Sequence, residues 1–186
     1  MLFTGKGDGG TTKTFGCNQR ISKSSAVSEA LGSLDEINSF LGWAKVKSKD
    51  SDFKVAAHDL SFESLVHRLQ KDLFIIQAEL AGAPGKTIEE GKVKHLEDII
   101  NAIEKTLPPI HSFFICGGTE LAACFDVART IARRAERRVV AVNEEGSTTV
   151  GKFSLAYLNR LSSILYALAR LSNHLSGITE EPPDYK

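Results

Sequence analysis

Five arginines fall within ten residues of this 186-residue chain: Arg129, Arg133, Arg134, Arg137 and Arg138, with Glu136 as the one acid among them. On a helix, positions 129, 133, 136 and 137 share roughly one face, because they are three and four apart. Crowded guanidinium groups repel one another. Such a face therefore belongs in open solvent, against an anion, or against carboxylates from a partner. A nucleic-acid-reading helix is a further option, but 23 basic and 23 acidic residues leave no net charge and few aromatics accompany the cluster.

A second anion-binding candidate opens the chain, Thr4-Gly5-Lys6-Gly7-Asp8-Gly9-Gly10-Thr11-Thr12-Lys13. Residues 4–16 hold five glycines and four threonines. Glycines let backbone amides converge on an anion, while hydroxyls add donors and lysines add charge. The Gly5-to-Gly10 spacing is superficially that of a Walker A loop. However, Thr11-Thr12 stand where Lys-Ser/Thr belong, and too few residues precede it to form the required strand. A flexible Gly/Thr tail fits this composition as well; the dense mixture with Lys and Asp favours phosphate binding. Asp35-Glu36 offer carboxylates either to solvent or to one of the arginines in a bidentate pair. Asn159-Arg160 lie beside a leucine stripe. A mid-helix asparagine, a modest helix former, is there for an amide partner or simply for the surface.

Other chemistry is thinly represented. The five histidines are scattered and no Glu-x-x-His pair occurs, so a di-metal bundle would lack its ligands and no metal site is expected. No Ser/His/Asp constellation can be placed. Cys17, Cys116 and Cys124 lack metal-type spacing and read as free thiols in a reducing, cytoplasmic setting. Phe40 and Trp43 fit a core or interface role.

The elements that must position these groups are helices. Ala30, Leu34, Ile37, Leu41 and Ala44 form one stripe; Phe62, Leu65, Leu69, Leu73, Ile76 and Leu80 form a second. A third runs through Val93, Leu96, Ile100, Ile103 and Leu107, opened by a capping box at Thr87-Ile88-Glu89-Glu90 and ended by Pro108-Pro109. The fourth comprises Leu121, Phe125, Ala128, Ala132, Ala135 and Val139, with Thr119 near its N-cap. The fifth comprises Leu158, Leu161, Leu165, Leu168 and Leu171, in a helix expected from about Thr149 to Asn173. Between the third and fourth, HSFFICGG (111–118) reads as a structured crossover. With 42% hydrophobic residues and no run of the length a membrane helix needs, the chain reads as one soluble all-α domain. No secretory signal opens it, and the proline-bearing end from Glu180 to Lys186 reads as poorly ordered.

Four blocks in order resemble a known family: TGKGDGGTT at 4–12, GSLDEINSFLG at 32–42, RTIARRAERRVV at 129–140 and YLNRLS at 157–162. Over nearly the whole chain they are similar to the PduO-type corrinoid adenosyltransferases, which are ATP:cob(I)alamin adenosyltransferases. The resemblance implies an up-and-down five-helix bundle, ferritin-like in class. It would comprise an ATP-binding loop (1–25), a bundle (26–176) and a flexible tail (177–186). It further implies a homotrimer with ATP, accompanied by Mg²⁺, in clefts between subunits, and neither nucleic-acid nor membrane partners. A cobalamin reductase and an adenosylcobalamin-dependent enzyme are partners compatible with it. A non-catalytic ATP- or cobalamin-binding module on the same bundle is the alternative. By motif matching, Thr4, Gly5, Lys6, Gly7, Thr12, Lys13 and Lys23 belong to the nucleotide site, with Arg133, Arg134, Glu136, Arg137 and Asn159. Asp35 and Arg129 match a carboxylate–arginine pair across the subunit boundary, and Phe113 an aromatic against the corrin that helps exclude the lower axial ligand. Cys116 and Ser163 stand where the family usually has Pro and Asp, and Thr4-Gly5-Lys6-Gly7-Asp8 where it has Thr-Lys-Thr-Gly-Asp.

Overall fold

A computed structural model describes residues 2–15 and 19–186; Cys17 lies outside the described residues. Five helices carry the fold: α1 (Ala26–Lys49), α2 (Phe62–Leu80), α3 (Glu90–Thr106), α4 (Glu120–Glu144) and α5 (Lys152–Leu175). Two small antiparallel hairpins accompany them, β1 (Thr11–Lys13) with β2 (Arg20–Ser22), and β3 (Lys54–Val55) with β4 (Leu60–Ser61). The first hairpin organises the glycine/threonine segment that the sequence alone presents as loop. Strands of two or three residues are too short to show an alternating pattern.

Side-chain contacts fix the helix directions. Lys47 meets Glu120 and Glu36 meets Arg134, so α1 and α4 run antiparallel. Asp72 meets Tyr157 and Glu79 meets Ser154, so α2 and α5 do too. Helix α1 packs on both α2 and α4, and α4 packs on α5. These four close a ring. Helix α3 lies outside it, parallel to α5: Ile88 meets Ser154, Glu97 meets Arg160, and Pro108 meets Arg170. Chain direction therefore alternates through all five helices, and the crossover of residues 107–119 returns the chain from the outlier to the ring.

The apolar stripes form the core as expected, with Leu34, Ile37, Leu69, Phe125, Ala132, Leu161 and Leu165 fully buried. In α3, Ile99 occupies the core position assigned to Ile100, which is only half-buried. The start of α3 differs for a physical reason. The Thr87 hydroxyl donates to Glu79 Oε1 at 2.8 Å instead of capping its own helix, and α3 begins at Glu90 without a side-chain cap. Glu79 also accepts from the Gly151 amide at 2.9 Å and from the Ser154 hydroxyl, so one carboxylate gathers α2, the lead into α3 and the start of α5. Helix α5 consequently begins at Lys152, three residues later than the sequence suggests. Thr119 caps α4 as expected, accepting from the Ala122 amide at 3.1 Å.

Candidate functional site

The arginine face of α4 is partly paired within the chain. Arg134 donates to Glu36 of α1, whereas Arg133, Arg137 and Arg138 are exposed with no ion pair among the described residues. Asn159 Nδ2 of α5 donates to Glu136 Oε1 at 2.9 Å, and its carbonyl accepts from Arg160 at 2.6 Å. These contacts turn the mid-helix asparagine into an orienting bridge between α4 and α5. Arg133, Glu136, Arg137, Glu144 and Asn159 line a cleft of about 300 Å³.

One helical turn earlier, the character changes. A cavity of about 570 Å³ opens between the crossover, α4 and α5, lined by Ile110, Phe113, Phe114, Cys116, Arg129, Arg133 and Tyr166 among others. Phe113 is 79% exposed, unusual for a phenylalanine in an ordered segment, and Ile110 and Ile115 are also exposed beside it. Burial pushes the Tyr166 phenol above its ordinary pKa, so this wall presents a neutral hydroxyl. Arg133 lines both spaces. A single guanidinium thus stands between a largely apolar chamber and a polar cleft in which two arginines face two glutamates.

Arg129 has an incomplete set of partners. Its Nε is buried without a hydrogen-bond partner, standing 3.6 Å from Asp126 Oδ1, and its guanidinium lies 5.8 Å from the centre of the Tyr166 ring. Asp35, the carboxylate expected to pair with it, is exposed on α1, beside Phe15, Leu31, Phe74 and Lys86 around a cavity of about 560 Å³. Neither ion pairs nor hydrogen bonds join Asp35 to Arg129 within the chain, among the described residues.

The N-terminal segment is a second, separate station. Thr4, Gly5, Lys6, Gly7, Thr12, Lys13 and Lys23 converge there: Gly10 accepts from the Lys23 amide at 2.9 Å, and Gly7 packs so closely on the Lys23 side chain that a β-carbon would lie 3.1 Å from Nζ. The organiser is Arg20, a residue with no motif signal. Its Nε donates to Thr11 Oγ1 at 2.7 Å, and its terminal nitrogen to the carbonyls of Lys6 and Thr11 at 2.5 and 2.6 Å. Pinning these carbonyls turns backbone polarity and leaves the lysines at the surface, an arrangement suited to an anion. No hydrogen bond or ion pair links this segment to α4 among the described residues. The described residues therefore present two separate cation-bearing surfaces, one on the loop and one on the arginine face.

Among the described residues, no group of three His, Cys, Asp or Glu side chains is placed to hold a metal ion, and no helix is long and apolar enough to cross a membrane. Cys116 and Cys124 are free thiols; burial pushes the Cys124 thiol up to about 11, which suppresses its thiolate.

Comparison with known proteins follows the same lines. The family model described as cobalamin adenosyltransferase matches residues 2–172. The corrinoid adenosyltransferase of Bacillus subtilis is 39% identical over 183 residues, 95% of this chain and 89% of that protein. The corrinoid adenosyltransferase PduO of Citrobacter freundii is 37% identical over 179 residues, 93% of this chain and 50% of that protein. The chain thus spans about half the length of PduO from C. freundii and from Salmonella typhimurium. A phenylalanine-to-alanine variant of the PduO-type ATP:corrinoid adenosyltransferase from Lactobacillus reuteri, complexed with cobalamin and ATP, superposes with a TM-score of 0.85 at 29% identity, covering 98% of this chain and 99% of that one. An arginine-to-lysine variant of that enzyme, complexed with ATP, gives 0.84 at 28% identity, covering 98% and 100%.

Proposed function

The chain belongs to the cobalamin adenosyltransferase family, and from that premise we propose that it transfers the 5′-deoxyadenosyl group of ATP to the cobalt of cob(I)alamin or a related corrinoid. The cobalt lone pair attacks the 5′ carbon, the bond from that carbon to the triphosphate oxygen breaks, and triphosphate leaves with the electron pair. Cobalt passes formally from Co(I) to Co(III), and the products are adenosylcobalamin and triphosphate. The nucleophile is the substrate itself. Hence the protein's tasks are to align the two reactants and to stabilise the departing charge.

The observation that carries this reading is the placement of Arg133 on the wall shared by a largely apolar chamber and a polar cleft lined by charged side chains. The chamber suits a corrin, with Phe113 reaching in to keep water and a lower axial ligand away from the metal. The cleft suits the triphosphate, gripped by Arg133 and Arg137 and flanked by Asn159 and Glu136. Mg²⁺ would accompany the nucleotide and would help to neutralise the charge of the departing triphosphate. The glycine/threonine loop completes the nucleotide site from a neighbouring copy in a trimer. Two features support that assembly: no hydrogen bond or ion pair joins the loop to α4 among the described residues, and Asp35 stands exposed on α1 without an ion pair among them.

The test is spectroscopic. Purified protein with ATP, Mg²⁺ and chemically reduced cobalamin is expected to produce the light-sensitive adenosylcobalamin spectrum together with triphosphate. A ligand-induced spectral change without triphosphate release would indicate a binding module instead.

A further inference from the structure

Residues 178–181 are tied to the bundle. Arg170 of α5 is 4% exposed, and its Nε donates to Glu180 Oε2 at 2.8 Å. Its terminal nitrogen donates to the Pro108 carbonyl at 3.1 Å, and its guanidinium lies 5.0 Å from the centre of the Phe114 ring. A buried guanidinium is costly unless a counter-charge and acceptors meet it. Here the counter-charge comes from the chain's last residues and the acceptor from the start of the crossover. Phe114 supplies an aromatic face, favourable for a desolvated cation. The two segments are also joined directly, by the Ile115 amide donating to the Glu181 carbonyl at 2.9 Å. At the far end of the crossover, Asn173 Nδ2 donates to the Gly117 carbonyl at 2.9 Å and its Oδ1 accepts from the Thr119 amide at 3.1 Å. The Asn173 carbonyl in turn accepts from the Ile178 amide at 2.9 Å, tying the tail down once more.

Phe114 lines two spaces, the 570 Å³ chamber and a groove between crossover and tail that also contains Arg170 and Glu180. Its neighbour Phe113 is left exposed on the chamber side. We propose that Arg170 is a positioning residue for the corrinoid wall, and that the tail acts as its strap. The Arg170–Glu180 pair holds Phe114 and the Ile115 backbone, and this presents Phe113 to the chamber. The proposal rests on the chamber being the corrinoid site, and it concerns how that wall is held rather than what binds there.

Glu180→Gln and a chain ending at Thr179 test it without placing a cavity in the core. Both are expected to raise the KM for cob(I)alamin about tenfold, the effect of losing about 1.4 kcal/mol, with the KM for ATP unchanged. Phe114→Leu is expected to act in the same direction, and Arg170→Lys to retain more corrinoid affinity than Arg170→Met. Hydrogen exchange supplies a readout independent of activity: in the shortened chain the Ile115 amide loses its acceptor and is expected to exchange at least about tenfold faster, the same energetic scale. Unchanged corrinoid KM and unchanged exchange would overturn the proposal, as would equal rises in both KM values, which mark a general loosening of the fold. A wild-type protein that forms no adenosylcobalamin would refute the function read from the chamber, while exchange in the shortened chain would still decide whether the tail holds the crossover.

Discussion

At the scale of single residues, the arginines separate by what their neighbours leave undone. Arg134 is satisfied by Glu36, whereas Arg133 faces two cavities. Arg133→Ala is therefore expected to cost about 100-fold or more in turnover, as when a preorganised charge stabiliser is removed, while sedimentation shows assembly intact. Arg20→Ala is expected to raise the KM for ATP about tenfold, or about 1.4 kcal/mol, because the Lys6 and Thr11 carbonyls lose their common donor. The first of these residues was legible from spacing in the sequence. The second was not, since a lone arginine in a polar stretch carries no pattern and its role lies in backbone carbonyls that no side-chain sequence encodes. Nor could sequence divide labour between Asp35 and Glu36, adjacent acids that a helix turns toward different neighbours. His95 adds a pH effect. Burial, then the Arg68 guanidinium beside it and then His58, hold its pKa below the ordinary 6.5. The unfolded chain therefore binds the extra proton first, and stability is expected to fall as pH drops below about 6.5 toward the folded pKa. Thermal melts of wild type and His95→Gln between pH 5 and 7.5 check this, with the variant expected to show the flatter profile.

Between helices, stability depends on a few polar junctions. Glu79 accepts three hydrogen bonds from the lead into α3 and the start of α5. Glu79→Ala leaves the Gly151 amide and two hydroxyls without it, and about 1–3 kcal/mol of destabilisation is expected for such a loss, measured by urea denaturation. Gly118 marks the other junction. With φ at +99°, its missing side chain makes room for Asn173, whose side-chain amide a β-carbon would overlap. Gly118→Ala is expected to lower the melting temperature and accelerate exchange in the crossover. The five helices were legible because their stripes keep a helical period over four or more turns. Their joints were not. The Thr87 capping box is a local pattern, and a carboxylate near the end of α2, brought back by the turn between the helices, outcompetes it. The same holds for Arg170, which reads as one more surface cation beside the leucine stripe until the tail folds back onto it.

The whole molecule carries more apolar surface than a solitary bundle requires. Trp43 is 50% exposed, with Val46 and Val127 also exposed, on α1 and α4 between the Lys47–Glu120 and Glu36–Arg134 contacts. This face fits the proposed assembly, with Asp35 on the α2 side of it and Arg129 on the α5 side. If the proposed trimer forms, Asp35→Arg would set two cations against each other and is expected to give a monomer in sedimentation, with loss of turnover. Sequence pointed to the Asp35–Arg129 match by family likeness; the geometry between copies lies beyond what one chain's periodicity can express. The order of the elements has one last consequence. The crossover emerges from the ribosome before α5 and the tail that anchor it. The chamber wall is therefore completed after the rest of the bundle during synthesis, and until residues 178–181 are made the nascent helices can be nearly all in place while the crossover is still unheld.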